Sequence, residues 1–319
     1  MPTQPLYPAY LPTRPDGFQP TIDVPFFEAE EPGVQAKASP SSIFRDGGGG
    51  ARVENITPRV GAEIRGIQLS QLSKEGLDEV ALFAAERGVL VFHPTMGYPK
   101  GTGPDFHVVY ADEKAGNLRT LLGPRTTYDL WHIDQTFTPN VPSTTFFWVL
   151  EQPASGGGDT AFTSLTAAYA ALSPAFRRTL GGLRLLHTSA SVGEVARVGA
   201  ERALREAVST THPLVIRHPV TGQPSLFVNP TIARAVEGFL PDESDALLGF
   251  LHNHIKSLDF SCRVRWEPGS VVVWDQRSVA HSAVPDFKEG ERRHMVRIIP
   301  YGSRPEPAFP EEHKRGGGE

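Results

Sequence analysis

The sequence predicts a mainly β fold with inserted helices (α+β), built as one sheet sandwich. Three observations predict it. Glycine (31) and proline (29) are abundant, which suits a turn-rich β protein. Strand-like runs dominate the second half, with helices inserted between them rather than alternating as in a βαβ array. The chain has 319 residues, 39% of them hydrophobic, enough for one large core or two small ones.

The elements follow in chain order. Residues 1–50 carry proline, glycine and acidic residues with little periodicity and end in Gly47-Gly48-Gly49-Gly50, so they read as an extended, partly disordered arm. Ordered patterning begins near Val53 and opens a domain spanning 51–305; residues 306–319 read as a flexible tail. Lys74–Glu86 has helical spacing at Leu77, Val80, Leu82 and Phe83. Gly88–Phe92 reads as a buried strand, and 94–130 as a long loop region. Thr144–Leu150 is strongly β-prone, and Gly156–Asp159 is a turn. Thr166–Leu172 and Ser173–Leu180 read as short helices, the second with Ser173 as N-cap and Pro174 at its first position. Leu214–Ile216 and Leu226–Val228 flank Thr221-Gly222-Gln223-Pro224 as a hairpin. Asp242–Ile255 is an amphipathic helix, and Arg263–Trp266, Val271–Trp274 and Met295–Ile299 are further strands.

Composition narrows the function. A net charge of −5 and a pI near 6.1 give no basic surplus for nucleic acid or an anionic membrane. The proline-rich start lacks an apolar signal core, and no apolar run is long enough to span a bilayer. A single cysteine, Cys262, excludes an internal disulfide and fits a reducing, cytoplasmic setting. A homo-oligomer is left open.

His132-Ile133-Asp134 is an H-x-D pair. On an extended strand, residues two apart project to the same side, so one imidazole and one carboxylate can meet one cation. His281 follows a core-strand run ending at Trp274. Two histidines and one carboxylate leave open coordination positions, the arrangement that suits a non-heme Fe(II) oxygenase. The pair alone is a weak signal, and with 11 histidines a later one is unremarkable. His187, His212, His218, His252 and His254 read as structural or surface residues.

Arg292–Arg297 adds a second cluster. On a strand, Arg293, Met295 and Arg297 share a face, so both guanidiniums would point into one cavity and could grip carboxylate or sulfonate oxygens. The bland reading is a solvated basic edge strand; apolar Met295, Val296, Ile298 and Ile299 argue for a core position instead.

Four blocks together resemble the taurine/sulfonate (TauD/TfdA-like) dioxygenase family, also grouped with 2,4-D dioxygenases: WHIDQTF (131–137), GGDT (157–160), WDQRxxxH (274–281) and RRHMVR (292–297). Weaker similarity runs through 211–230, and LYPAYLP (6–12) looks like fungal members. The resemblance covers most of 53–303 and implies a double-stranded β-helix, a cupin-like jelly roll with the metal between its sheets. It implies iron on His132, Asp134 and His281. Thr160 and Arg293 would hold the far carboxylate of 2-oxoglutarate, and Trp274 would line the site. Arg297 would hold the substrate's anionic group, with Tyr128 and His107 nearby. The implied reaction uses Fe(II), 2-oxoglutarate and O2, with ascorbate in support. It hydroxylates a small anionic substrate such as taurine and releases sulfite, succinate and CO2.

The chain departs from the family in two places. Phe92 runs straight into His93-Pro94, where members usually carry a further segment that contributes a helix and a substrate-contacting histidine; His107 is the nearest stand-in. Tyr128 stands where taurine-specific members often have asparagine. Two alternatives therefore stay open: the same chemistry on a purine, aryloxyacid or secondary metabolite, or a truncated member without turnover. A hydrolytic cupin-like metal site is a weaker option, since hydrolysis needs no dicarboxylate clamp.

Overall fold

The computed structural model describes residues 6–11, 26–38, 51–93, 107–111, 129–190 and 206–309. In chain order the strands are β1 Arg52–Asn55, β2 Ala62–Arg65, β3 Val89–Phe92, β4 His107–Ala111, β5 Thr144–Glu151, β6 Thr160–Ser164, β7 Arg184–Thr188 and β8 Ser209–Pro213. They continue as β9 Val215–Arg217, β10 Pro224–Leu226, β11 Ala233–Val236, β12 Ser261–Val264, β13 Val271–Asp275, β14 Val279–Ala283, β15 Arg293–Ile298 and β16 Glu306–Pro307. The α-helices are α1 Val34–Ala38, α2 Lys74–Arg87, α3 Leu165–Ala171, α4 Pro174–Leu180 and α5 Pro241–His254.

The architecture is the expected jelly roll. A seven-stranded sheet runs β1-β2-β3-β13-β5-β15-β4 and faces a three-stranded sheet, β12-β6-β14. Phe147, Phe162, Val264, Trp266, Val272, Trp274 and Met295 fill the space between them. Every residue of β13 is buried, because alternate side chains serve different layers. Val272 and Trp274 enter the inter-sheet core, while Val271 and Val273 pack with Val80 and Ala84 of α2 on the outer face. A continuous apolar run is what a strand covered on both faces requires.

Two further three-stranded sheets, β11-β7-β8 and β10-β9-β16, form an annex beside the sandwich. Its core gathers Leu185, Leu214, Phe227 and Val228 with Leu248 and Leu251 of α5 and Leu165 of α3. Helix starts obey local capping: the Ser73 and Ser173 hydroxyls accept from Gly76 and Phe176 N–H, each at 3.2 Å. Gly88 ends α2 at φ +78°, where an added Cβ would lie 2.5 Å from Val279.

Several boundaries differ from expectation. Within the stretch read as loop, His107–Ala111 is an edge strand on β15; its pairing is tertiary, and a short run among glycines and prolines does not announce it. The strand expected at Arg263–Trp266 lies at Ser261–Val264, because pairing to β6 sets the register and Trp266 turns into the inter-sheet core. β15 starts at Arg293, two residues earlier than expected, and lies between β5 and β4 rather than at an edge.

The described parts of the 1–50 stretch dock on the sandwich. Tyr10 is buried beside Leu150 and Val296, and its carbonyl accepts from His294 Nε2 at 2.9 Å. Leu6 N–H donates to Glu151 at 2.6 Å. Glu31 pairs with the buried Arg277 and accepts from Ser303 N–H at 2.7 Å. At the other end, Glu306–Pro307 pair with β9. Among the described residues no helix is long and apolar enough to cross a membrane.

Candidate metal centre and cofactor pocket

His132 and His281, far apart in sequence, are neighbours across an isolated antiparallel bridge. Each backbone N–H donates to the other's carbonyl at 2.9 Å. Directly opposed residues in such a pair project to the same side, and the two imidazole centroids are 4.2 Å apart. Asp134, two positions on, joins them: its Oδ1 is 3.5 Å from His132 Nε2 and its Oδ2 is 3.8 Å from His281 Nε2. One ligand atom from each of the three residues lies within 4.8 Å of the others.

The extended geometry invoked for the H-x-D pair is here a single bridge followed by a turn. Gln135 has φ +47°, a left-handed conformation uncommon for a non-glycine residue. Tyr301 OH donates to its side chain at 3.0 Å. From behind, the annex grips the same loop. Thr231 donates to Trp131 O at 3.2 Å, Asn229 to Ile133 O at 2.6 Å and Thr210 to Phe137 O at 2.8 Å. His187 Nδ1 meets the Thr136 hydroxyl at 2.8 Å, and His212 Nε2 meets Thr138 O at 3.0 Å. His187, His212 and His218 are thus structural, as expected, and wholly buried.

Electrostatics prepare the three groups for a cation. His132 Nδ1 lies 2.7 Å from Leu130 O, so Nδ1 carries the proton and Nε2 keeps a free lone pair. Burial, then the adjacent His132, pushes the His281 imidazole well below its ordinary value and keeps it neutral, Asp134 opposing. Its Nδ1 is buried and, among the described residues, has no hydrogen-bond partner. Burial alone would raise the Asp134 carboxyl. The Arg297 charge, then His281 and His132, outweigh that and hold it well below the usual carboxylate range. Trp274 packs its ring 5.1 Å from His281, and Phe162 stacks at 6.0 Å, which fixes the imidazole plane.

Arg293, Met295 and Arg297 share the inner face of β15, as the period of two predicts. Arg293 is 7% exposed, and its Nε donates to Gly158 O at 2.8 Å. Among the described residues it has no ion pair. Burial, with Arg297 adding and Asp159 opposing, pushes its guanidinium down to about 10. A buried cation lacking a bound anion is a receptor for one. Gly158 (φ +70°) brings the chain close: an added Cβ would lie 3.3 Å from Arg293 Cδ. Thr160, two residues on, is buried at the head of β6. Asp286 secures this turn, accepting from Gly158 N–H at 2.9 Å and from Arg263, which also bonds Asp159; both Arg263 contacts are 2.6 Å.

Arg297 reaches this cluster, donating to both oxygens of Asp134 at 3.0 and 2.9 Å. The His107 backbone pairs with Arg297, but the His107 side chain and all of Tyr128 lie outside the described residues. The sequence reading missed Gln276. Its amide bonds Asp134 at 2.7 Å; the residue stood inside the WDQR block but had no assigned role.

The donor set fits a divalent first-row cation: two imidazoles and one ionised carboxylate, with a buried arginine pocket beside it. Compared with known proteins, residues 93–299 match the family described as "Taurine catabolism dioxygenase TauD, TfdA family". The alpha-ketoglutarate-dependent dioxygenase cnsP of Penicillium expansum is 38% identical over 336 aligned residues, covering 97% of this chain and 90% of that protein. An alpha-ketoglutarate-dependent sulfonate dioxygenase of Saccharomyces cerevisiae is 35% identical, covering 94% and 78%. A crystal structure of a taurine dioxygenase from Burkholderia xenovorans superposes with TM-score 0.63 at 29% identity, covering 81% of this chain and 93% of that one.

Proposed function

The chain belongs to the TauD/TfdA family of 2-oxoglutarate-dependent dioxygenases, and from that premise we propose that His132, Asp134 and His281 hold Fe(II) while Arg293 and Thr160 receive the far carboxylate of 2-oxoglutarate (alpha-ketoglutarate). The buried Arg293, without an ion pair among the described residues, carries this reading: a buried cation beside a two-histidine, one-carboxylate cluster has use for a dicarboxylate. Bound iron and 2-oxoglutarate supply oxidative decarboxylation by O2 and oxygen transfer into a substrate C–H bond.

The chain's own part is placement. The loop 131–138 is locked from behind, so the three donors need little rearrangement on binding. Trp274 and Phe162 orient His281 and keep water from its face. Arg293 neutralises the co-substrate at its far end, with the Thr160 hydroxyl available to donate beside it. Arg297 offers charge next to the metal, where the anionic group of a substrate would dock.

For the substrate we favour an alkylsulfonate such as taurine, hydroxylated beside sulfur with release of sulfite, succinate and CO2. Support comes from Arg297 and from the yeast relative, whose name specifies a sulfonate. The Penicillium relative, named only as a dioxygenase, favours a second reading, the same chemistry on a non-sulfonate metabolite. The alignment to it runs over 336 positions, more than this chain has, so that relative carries residues absent here. That absence keeps a truncated member without turnover as a third reading. A cytoplasmic setting belongs to the same reading, in keeping with a single cysteine, Cys262.

A coupled assay decides among these. Purified protein with Fe(II), ascorbate and 2-oxoglutarate is offered a panel of sulfonates and other small acids. Sulfite and succinate in equal amounts support the sulfonate reading. Succinate stimulated by a substrate without sulfite selects the second, and no stimulated turnover selects the third.

A further inference from the structure

The amide of Gln276 has a role that the W-D-Q-R pattern does not assign. Gln276 is fully buried, and its backbone N–H is fixed on Ser143 O at 3.0 Å. Its Nε2 donates to Asp134 Oδ2 at 2.7 Å and to Thr145 Oγ1 at 3.0 Å. Its Oε1 accepts from the Asp134 backbone N–H at 3.2 Å. These partners fix the amide orientation, because a carboxylate accepts only and a backbone N–H donates only. Gln276 therefore grips Asp134 at both main chain and side chain, closing a ring that sets the carboxylate's rotation. Oδ2 takes a second bond, from Arg297 at 2.9 Å. The same Arg297 nitrogen also donates to Oδ1, at 3.0 Å; Oδ1 lies 3.5 Å from His132 Nε2 and Oδ2 3.8 Å from His281 Nε2.

We propose that Gln276 is a positioning residue for the metal: its amide engages Asp134 Oδ2, which favours Oδ1 as the oxygen that meets the cation. Ligation through one oxygen keeps further coordination positions open, whereas a chelating carboxylate would fill one of them. The inference rests on the reading of Asp134 as a ligand. A charged residue could not replace the amide in this role, since a second carboxylate would repel Asp134 and an ammonium could not accept from its backbone N–H.

The test is metal binding, read without turnover. Gln276→Met keeps length and removes all three hydrogen bonds of the amide. With an unchanged far-ultraviolet circular dichroism spectrum, it is expected to bind Mn(II) about 10- to 100-fold more weakly, the range for lost outer-shell partners of metal ligands. Its Co(II) form is expected to show an altered visible spectrum, because the freed carboxylate changes the ligand field. Full Mn(II) affinity with an unaltered Co(II) spectrum overturns the inference. Asp134→Ala, run in parallel, separates the two readings: if that variant still binds Mn(II) fully, the ligand assignment itself fails. A crystal structure of the unaltered protein with Mn(II) does not depend on any variant folding. Oδ1 on the metal with Oδ2 on Gln276 is expected; chelation through both oxygens, or ligation through Oδ2, overturns the proposal.

Discussion

Arg297 donates through one guanidinium nitrogen to both carboxylate oxygens of Asp134, at 3.0 and 2.9 Å, inside a site where Asp134 is 4% exposed. A buried carboxylate needs a positive partner, and a metal ion would provide a second one. Removing one member of a buried pair costs about 3–5 kcal/mol because the other charge is left uncompensated. Arg297→Gln is therefore expected to lower the Tm of the metal-free protein strongly and that of the Mn(II)-loaded protein much less. Calorimetry with and without Mn(II) measures both. Equal losses would show that the cation does not take over the neutralisation of Asp134.

Arg293 poses the opposite case, since its buried guanidinium has no ion pair among the described residues. Its charge costs stability in the protein alone, a cost that a dicarboxylate bound there, as proposed, would offset. Arg293→Met should leave Tm unchanged or raised, the lost bond to Gly158 O being offset by relief of the buried charge. It should weaken 2-oxoglutarate binding by about 30-fold or more, as follows from losing a buried charge contact of at least about 2 kcal/mol. Isothermal titration with 2-oxoglutarate and Mn(II) reads the second effect. An unchanged affinity would move the far carboxylate elsewhere.

These contrasts bear on what the sequence made legible. The H-x-D pair, the glycine turn before Thr160 and the Arg293/Arg297 spacing are local patterns with a period of two, so their shared faces could be read directly. The contact of His132 with His281 could not: it is a backbone bridge between distant segments, set by sheet topology. The same holds for β4, a strand only by virtue of its partner β15. Gln276 stood within a recognised block, but an amide announces no chemistry until its partners are known. The docking of Leu6, Tyr10 and Glu31 rests on a few contacts spaced among prolines and glycines, which leave no periodic trace.

His187 and His212 predict an acid limit to stability. Burial, then the neighbouring imidazole of His212, pushes His187 down to about 3; burial likewise pushes His212 down to about 4, against the bond to Thr138. Both fold as neutral rings, while the unfolded chain takes up protons near the ordinary value of about 6.5. The unfolded state thus binds more protons below that pH, and stability falls as pH drops from about 6.5 toward 4, by up to about 1.4 kcal/mol per unit for each ring. Denaturant melts between pH 7 and 4.5 should show this slope. His212→Asn, which cannot take up a proton, should have a shallower one. An identical slope would mean that His212 is already charged in the folded protein.

Glu31 offers a test of whether the N-terminal segment belongs to the working structure. It pairs with Arg277, which is 2% exposed and holds Asp275 at 2.8 Å, and Asp275 also meets His218 Nε2 at 3.2 Å. His218 Nδ1 accepts from Val220 and Thr221 N–H at 3.2 and 3.3 Å, which turns its Nε2 toward Asp275. Within this chain of buried charges, Asp275 and Glu31 together compensate Arg277. Glu31→Gln keeps an acceptor for Ser303 N–H but removes half of that compensation. It should destabilise the protein by about 1–3 kcal/mol, in the range for a charged hydrogen bond lost from a buried group. Because the 275–278 turn presents both Gln276 and the strand carrying His281, the same change should also weaken Mn(II) binding in the folded protein. Chemical denaturation and Mn(II) titration of the one variant read both. Lost stability with unaltered metal affinity would confine Glu31 to a scaffolding role, and no loss of either would show that this segment does not hold the turn.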